Sequence, residues 1–99
     1  MELIYVIEDD ENIRELIKAA LESYGYQIEA FEAAEPALES IVRDQPSLAI
    51  FDIMLPGMDG LSAIEEIRKD PKIGNLPIIV LTAKDKEFDK VIGLDRGAD

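Results

Sequence analysis

The sequence predicts a doubly wound α/β domain built on a parallel sheet. Three observations predict it: short runs of Ile, Leu and Val without polar alternation, stretches of helical periodicity between them, and connections too long for hairpins. Strands covered on both faces lose the in-and-out alternation, and helices crossing back over the sheet are what covers them. The strand-then-helix order recurs four times along 99 residues, and crossovers of this kind join parallel strands right-handedly. With 47% hydrophobic residues, that length supports one domain with a single core, expected to occupy residues 1–99 throughout.

Leu3 to Ile7 is the first apolar run and reads as a central strand. Ile13, Leu16, Ile17, Ala20, Leu21 and Tyr24 then recur at spacings of three and four, which predicts an amphipathic helix of about three turns, stopped by Gly25. Gln27 to Glu32 alternates, with Ile28, Ala30 and Phe31 among Gln27, Glu29 and Glu32, the pattern of a half-covered edge strand. Ala37, Leu38, Ile41 and Val42 make a second helical face, with Pro36 tolerated in its first turn. Leu48 to Ile53 is a second buried strand. Leu61, Ile64 and Ile67 form the third helical face, with Asp59 as its N-cap. Asn75 and Pro77 punctuate the approach to Ile78 to Leu81, the last apolar run. Phe88, Val91, Ile92 and Asp95 suggest a fourth helix closed by Gly97.

Ten Lys and Arg stand against 22 Asp and Glu, a net charge of -12 that opposes direct contact with nucleic-acid phosphates or anionic lipid. The sequence has no Cys, no charged-then-apolar leader and no apolar run approaching the length of a membrane span, so a cytoplasmic chain without disulfides is expected. An acidic excess usually means no more than a solvated surface. It is also what a hard cation needs, and placement decides between the two.

In an open parallel sheet, ligands gather at the carboxyl ends of the strands. The first strand ends in Glu8, Asp9, Asp10 and Glu11, and the second buried strand carries Asp52. Four acids at a helix start are by themselves an ordinary solvated cap. If the two strands are neighbours, however, Glu8, Asp9 and Asp52 converge, and several carboxylates at close range stay ionised only with a cation among them. With neither His nor Cys in the chain, all-oxygen ligation favours Mg²⁺ or Mn²⁺, and few protein ligands with several waters fit Mg²⁺ best. An Asp at the mouth of a sheet beside Mg²⁺ is placed to act as a carboxylate nucleophile and form an acyl phosphate. Thr82, ending the last apolar run, is placed to offer a hydroxyl to a phosphoryl oxygen, and small Ala83 leaves room for it.

VIEDDE at the end of the first strand, FDIMLPGMDG at the third and IIVLTA at the fourth together resemble the receiver domains of two-component response regulators. The resemblance spans the whole chain, and the spacing of Asp9, Asp52 and Thr82 is also that of the family. It implies a flavodoxin-like sheet of order 2-1-3-4. It implies a phosphoacceptor signalling domain, not an enzyme, in which a sensor histidine kinase phosphorylates Asp52. Mg²⁺ would be held by Asp9 directly, by Glu8 mainly through water, by Asp52, and by the backbone carbonyl of Met54. Thr82 would be the switch hydroxyl, Pro56 and Gly60 would shape the loop after Asp52, and the signal would pass to an output domain or protein outside this chain, typically in transcription regulation. Family members continue past GAD into a fifth strand, a Lys, an aromatic switch residue and a fifth helix. The sequence is therefore expected to end before those elements, and Lys84 reads as a solvent-exposed loop residue. With the fourth strand left as an apolar edge, a non-native dimer through that strand is also expected.

Two other readings compete with this one. A phosphatase of the haloacid-dehalogenase type also uses a strand-terminal Asp and Mg²⁺, but it carries a second Asp two residues on, where this chain has Met54, and 99 residues leave no room for a cap domain. The other is a truncated or degenerate receiver that serves only as a folding or assembly module, without phosphotransfer.

Overall fold

Branched aliphatic residues dominate β1 (Leu3–Ile7) and β4 (Ile78–Leu81), β3 (Leu48–Asp52) sets Leu48 and Ile50 beside Ala49 and Phe51, and β2 (Gln27–Phe31) keeps the alternation of an edge. In the computed structural model, which describes residues 2–53, 55 and 57–81, these strands form one parallel sheet of order β2-β1-β3-β4. Met54, Pro56, Thr82, Ala83, Lys84 and the expected fourth helix through Phe88, Val91, Ile92, Asp95 and Gly97 lie outside the described residues.

Among the described residues three helices cover the sheet: α1 (Glu11–Glu22), α2 (Ala34–Asp44) and α3 (Gly60–Lys69). One face carries the larger core, in which Ala34, Ala37 and Ile41 of α2 and Ala63, Ile64 and Ile67 of α3 pack on Tyr5, Ile7, Ala49, Phe51, Ile78 and Val80. The other face is smaller: Ile4, Val6, Ile28 and Ile50 are buried, and Ile17 and Leu21 of α1 lie against them. Successive strand residues therefore alternate between two cores, which is why β1 and β3 show no alternation in sequence.

Helix ends follow local chemistry. Asp59 caps α3, accepting from the Ser62 N–H at 2.8 Å, and Gly25 ends the α1 turn at φ +95° with its N–H on the Glu22 carbonyl. Helix α2 ends instead on Gln45 in the left-handed region, φ 47°, where the sequence carries no glycine to announce it. The buried Tyr5 ring packs on Phe31 with centroids 4.8 Å apart, and its hydroxyl donates to Asp44 at 2.5 Å, tying the end of α2 to β1. Burial, with Asp44 adding to it, pushes that phenol above its ordinary value.

The predicted face of α1 needs a correction. Ile17 and Leu21 pack as expected, but Leu16 is 70% and Tyr24 80% exposed, and no residue of α1 is fully buried. Tyr24 lies past the helix C-cap, Ser23, and α1 sits over β1 and β2, which leaves the Leu16 side of its apolar face uncovered by any described residue. Beside it, Leu16, Ile17, Ala20, Ile79 and Leu81 line a cavity of about 350 Å³.

Candidate phosphoryl and metal site

Strand register brings the acids together. Ile7 pairs with Phe51 across β1 and β3, so the residues that follow, Glu8 and Asp52, emerge side by side at the carboxyl edge of the sheet. Carboxylate oxygens of Glu8, Asp9 and Asp52 all lie within 4.8 Å of one another. Glu8 is buried, at 5% exposure, Asp52 is half-buried and Asp9 is exposed.

The acidic run divides by role. The Glu8 N–H continues the sheet by donating to the Phe31 carbonyl at 2.9 Å, and its side chain turns into the cluster, where the Asp10 N–H donates to it at 3.1 Å. Asp10 instead caps α1, accepting from the Ile13 N–H at 3.0 Å, so the ordinary capping reading holds for this residue and not for its two predecessors. Glu11 is exposed in the first turn.

Burial pushes the Glu8 carboxyl up to about 7, against a partial opposing effect of the Asp10 N–H, and the neighbouring charges of Asp52 and Asp9 push the same way as burial. An acid held near neutrality beside two others is a site short of positive charge. The donor set is all oxygen, in accord with a hard divalent cation and not with zinc or copper.

Arg14 and Glu35 were not anticipated as site residues. The Arg14 guanidinium donates to the carbonyls of Glu8 at 2.8 Å and Asp9 at 3.4 Å, clamping the backbone that carries both acids. A signal existed: a cation close to a helix N-terminus opposes the macrodipole, so Arg14 needed another reason to be there. Glu35, in the first turn of α2, accepts from the Met58 N–H at 3.2 Å, a contact across 23 residues that no local pattern announces.

The loop after Asp52 returns on itself. The Gly60 N–H donates to the Ile53 carbonyl at 3.1 Å, and a Cβ at Gly60 would lie 2.5 Å from the Asp52 carbonyl oxygen, so this position admits glycine alone without a shift. Leu81 registers with Asp52, and Ile53 donates to its carbonyl at 3.2 Å, which puts the end of β4 beside the nucleophile candidate. Met54 and Thr82, the other two expected site residues, lie outside the described residues.

Residues 4–99 match the response regulator receiver domain family. The chain belongs to that family. Among its relatives, the receiver is 41% identical over 96 residues to the alkaline phosphatase synthesis transcriptional regulatory protein PhoP of Bacillus subtilis (strain 168). That match takes in 97% of this chain and 39% of PhoP, so the chain spans about two fifths of the curated relative's length. In three dimensions it is similar to a putative response regulator from Chloroflexus aurantiacus J-10-fl (TM-score 0.87, 31% identity, 99% of this chain and 80% of that one). It is also similar to the response regulator TrrA from Thermotoga maritima, solved in complex with Mg(2+)-BeF (TM-score 0.81, 38% identity, 100% of this chain and 83% of that one). The receiver's sheet order, β2-β1-β3-β4, is the flavodoxin-like order that the sequence resemblance implied.

Proposed function

We propose that this receiver accepts a phosphoryl group on Asp52 in a Mg²⁺-dependent transfer from a sensor histidine kinase, and passes the change to an output domain or protein. The observation that carries the reading is the convergence of Glu8, Asp9 and Asp52 within 4.8 Å at the carboxyl edge of the sheet, with Asp52 ending β3. A solved relative, TrrA, holds Mg(2+)-BeF, and the residues here suit the same ion.

In the transfer, an Asp52 carboxylate oxygen attacks phosphorus in line with the phosphohistidine nitrogen. The O–P bond forms, the P–N bond breaks, and the electron pair returns to the imidazole. Asp9 and Glu8 would hold the cation, Asp9 directly and Glu8 mainly through water, with Asp52 and the Met54 backbone carbonyl as the other ligands the family resemblance implies. Mg²⁺ held there would supply neutralisation of charge on the phosphoryl oxygens. Arg14 keeps the two acids in register by gripping their carbonyls. Thr82, one residue beyond the β4 position that pairs with Asp52, offers the hydroxyl that follows the phosphoryl group.

The product is an acyl phosphate that stores a signal, so the chain is a stoichiometric acceptor and not a turnover enzyme. Among the described residues no helix is long and apolar enough to cross a membrane. The net charge of -12 leaves any contact with DNA to another part of the signalling protein. Beryllofluoride, a phosphoryl mimic, tests the site: fluorine NMR should show it bound to the parent only when Mg²⁺ is present, and Asp52→Asn should abolish binding. A parent that binds neither ion nor mimic would support the assembly-module reading instead.

A further inference from the structure

We propose that Glu35 is the positioning residue of the loop after Asp52, a latch from α2 that fixes the crest of that loop and so sets the affinity of the acidic pocket for its divalent cation. The proposal rests on the phosphoacceptor reading and adds a residue to it.

The two feet of the loop are pinned to the first residue after β3: Leu55 and Gly60 both donate their N–H groups to the Ile53 carbonyl at 3.1 Å. The crest, Gly57 and Met58, is held from elsewhere. Met58 donates its N–H to Glu35 Oε2 at 3.2 Å. A Cβ placed on Gly57 would come within 2.9 Å of the same oxygen, and Gly57 has φ +74°, so the crest is shaped both to turn and to admit that carboxylate. The hydrogen bond and the glycine are separate observations pointing to one contact.

Glu35 is available for this because of where α2 begins. The N-cap of α2, Ala33, has no side chain to bond the first amides, and an anion in the first turn is favoured by the helix dipole. Glu35 thus sits on α2 at no electrostatic cost and uses its acceptor on the neighbouring loop. The crest leads within two residues to Gly60, whose backbone lies against the Asp52 carbonyl, so a crest left without its latch shifts the backbone that abuts Asp52. Glu35 restricts that shift through the hydrogen bond its side-chain oxygen accepts from the Met58 N–H.

The test is Mg²⁺ titration of the 99-residue chain by calorimetry, with the Met58 amide resonance followed by NMR, in the parent, Glu35→Ala and Glu35→Gln. Glu35→Ala should raise the Kd by about threefold to tenfold, the scale of one such bond, and move the Met58 amide. Glu35→Gln keeps an acceptor oxygen without the charge and should stay within about twofold of the parent, with the Met58 amide displaced less than in Glu35→Ala. Equal affinity in Glu35→Ala and parent overturns the latch. A Glu35→Gln chain that falls as far as Glu35→Ala also overturns it, because the effect would then be one of charge. A parent that binds no Mg²⁺ overturns the phosphoacceptor reading, and the role of Glu35 with it.

Discussion

Glu8 shows how a single buried side chain couples protons to the rest of the site. Its carboxyl is raised from 4.5 to about 7, by burial first and by Asp52 and Asp9 after it. The folded state therefore binds more protons than the unfolded state between those values, and unfolding free energy in the absence of divalent cation falls as pH rises from about 4.5 to 7, then levels off. Cation ligation needs the ionised form, so Mg²⁺ affinity should rise through pH 7. Calorimetric titrations across that range check both slopes, and Glu8→Gln should flatten them. The sequence made the convergence of Glu8, Asp9 and Asp52 legible because Asp52 ends β3 and the other two directly follow the neighbouring β1. It did not reveal that Glu8 is buried while Asp9 is exposed, since that depends on how the turn to α1 closes. Gln45 is a second residue the sequence concealed. Its φ of 47° costs an L-residue free energy that glycine does not incur, so Gln45→Gly should stabilise the fold by about 0.5–1 kcal/mol in urea denaturation.

Among the elements, α3 bears most directly on the site, because its first residue touches the strand that carries Asp52. Asp59 and Gly60 begin it for different reasons: one caps the helix, the other permits backbone to approach backbone. Gly60→Ala would set a methyl 2.5 Å from the Asp52 carbonyl, where neither partner is a flexible side chain. It should cost about 1–3 kcal/mol by denaturant titration, as overpacking does, and weaken Mg²⁺ binding as well. Asp59→Ala should lower stability less and leave Mg²⁺ binding near that of the parent, because only the cap on Ser62 is lost. Loss of Mg²⁺ binding in both variants would mean that helix position, and not the contact with Asp52, governs the site. Strand limits and the cap at Asp59 were readable from apolar runs and turn chemistry, with β2 ending at Phe31 and β3 at Asp52, each one residue before the expected Glu32 and Ile53. The surroundings of α1 were not. Periodicity specifies that Leu16 and Ile17 share an apolar face, but not which part of that face meets the sheet.

Across the whole molecule, the order β2-β1-β3-β4 puts β1 and β3 at the centre and β4 at an outer edge among the described residues. Ile79 and Leu81 are only half-buried there, next to the uncovered side of α1. Such an edge recruits other chains, and self-association through β4 is expected in light scattering at high concentration; a monomer throughout the range would exclude it. Parallel order and two-sided cover were legible because β1 and β3 lack alternation. The identity of the neighbouring strands came instead from motif resemblance, since periodicity does not rank the possible sheet orders. The same sheet order is what makes the acids a site, because only adjacent β1 and β3 bring Glu8 and Asp9 against Asp52. The most direct measurement is therefore the intact mass of the chain after incubation with a small-molecule phosphodonor, with and without Mg²⁺, in the parent and in Asp52→Asn. One added phosphoryl group, hydroxylamine-labile, present only with Mg²⁺ and absent from Asp52→Asn, is the predicted result; equal phosphorylation of Asp52→Asn, or of the parent without Mg²⁺, would contradict it.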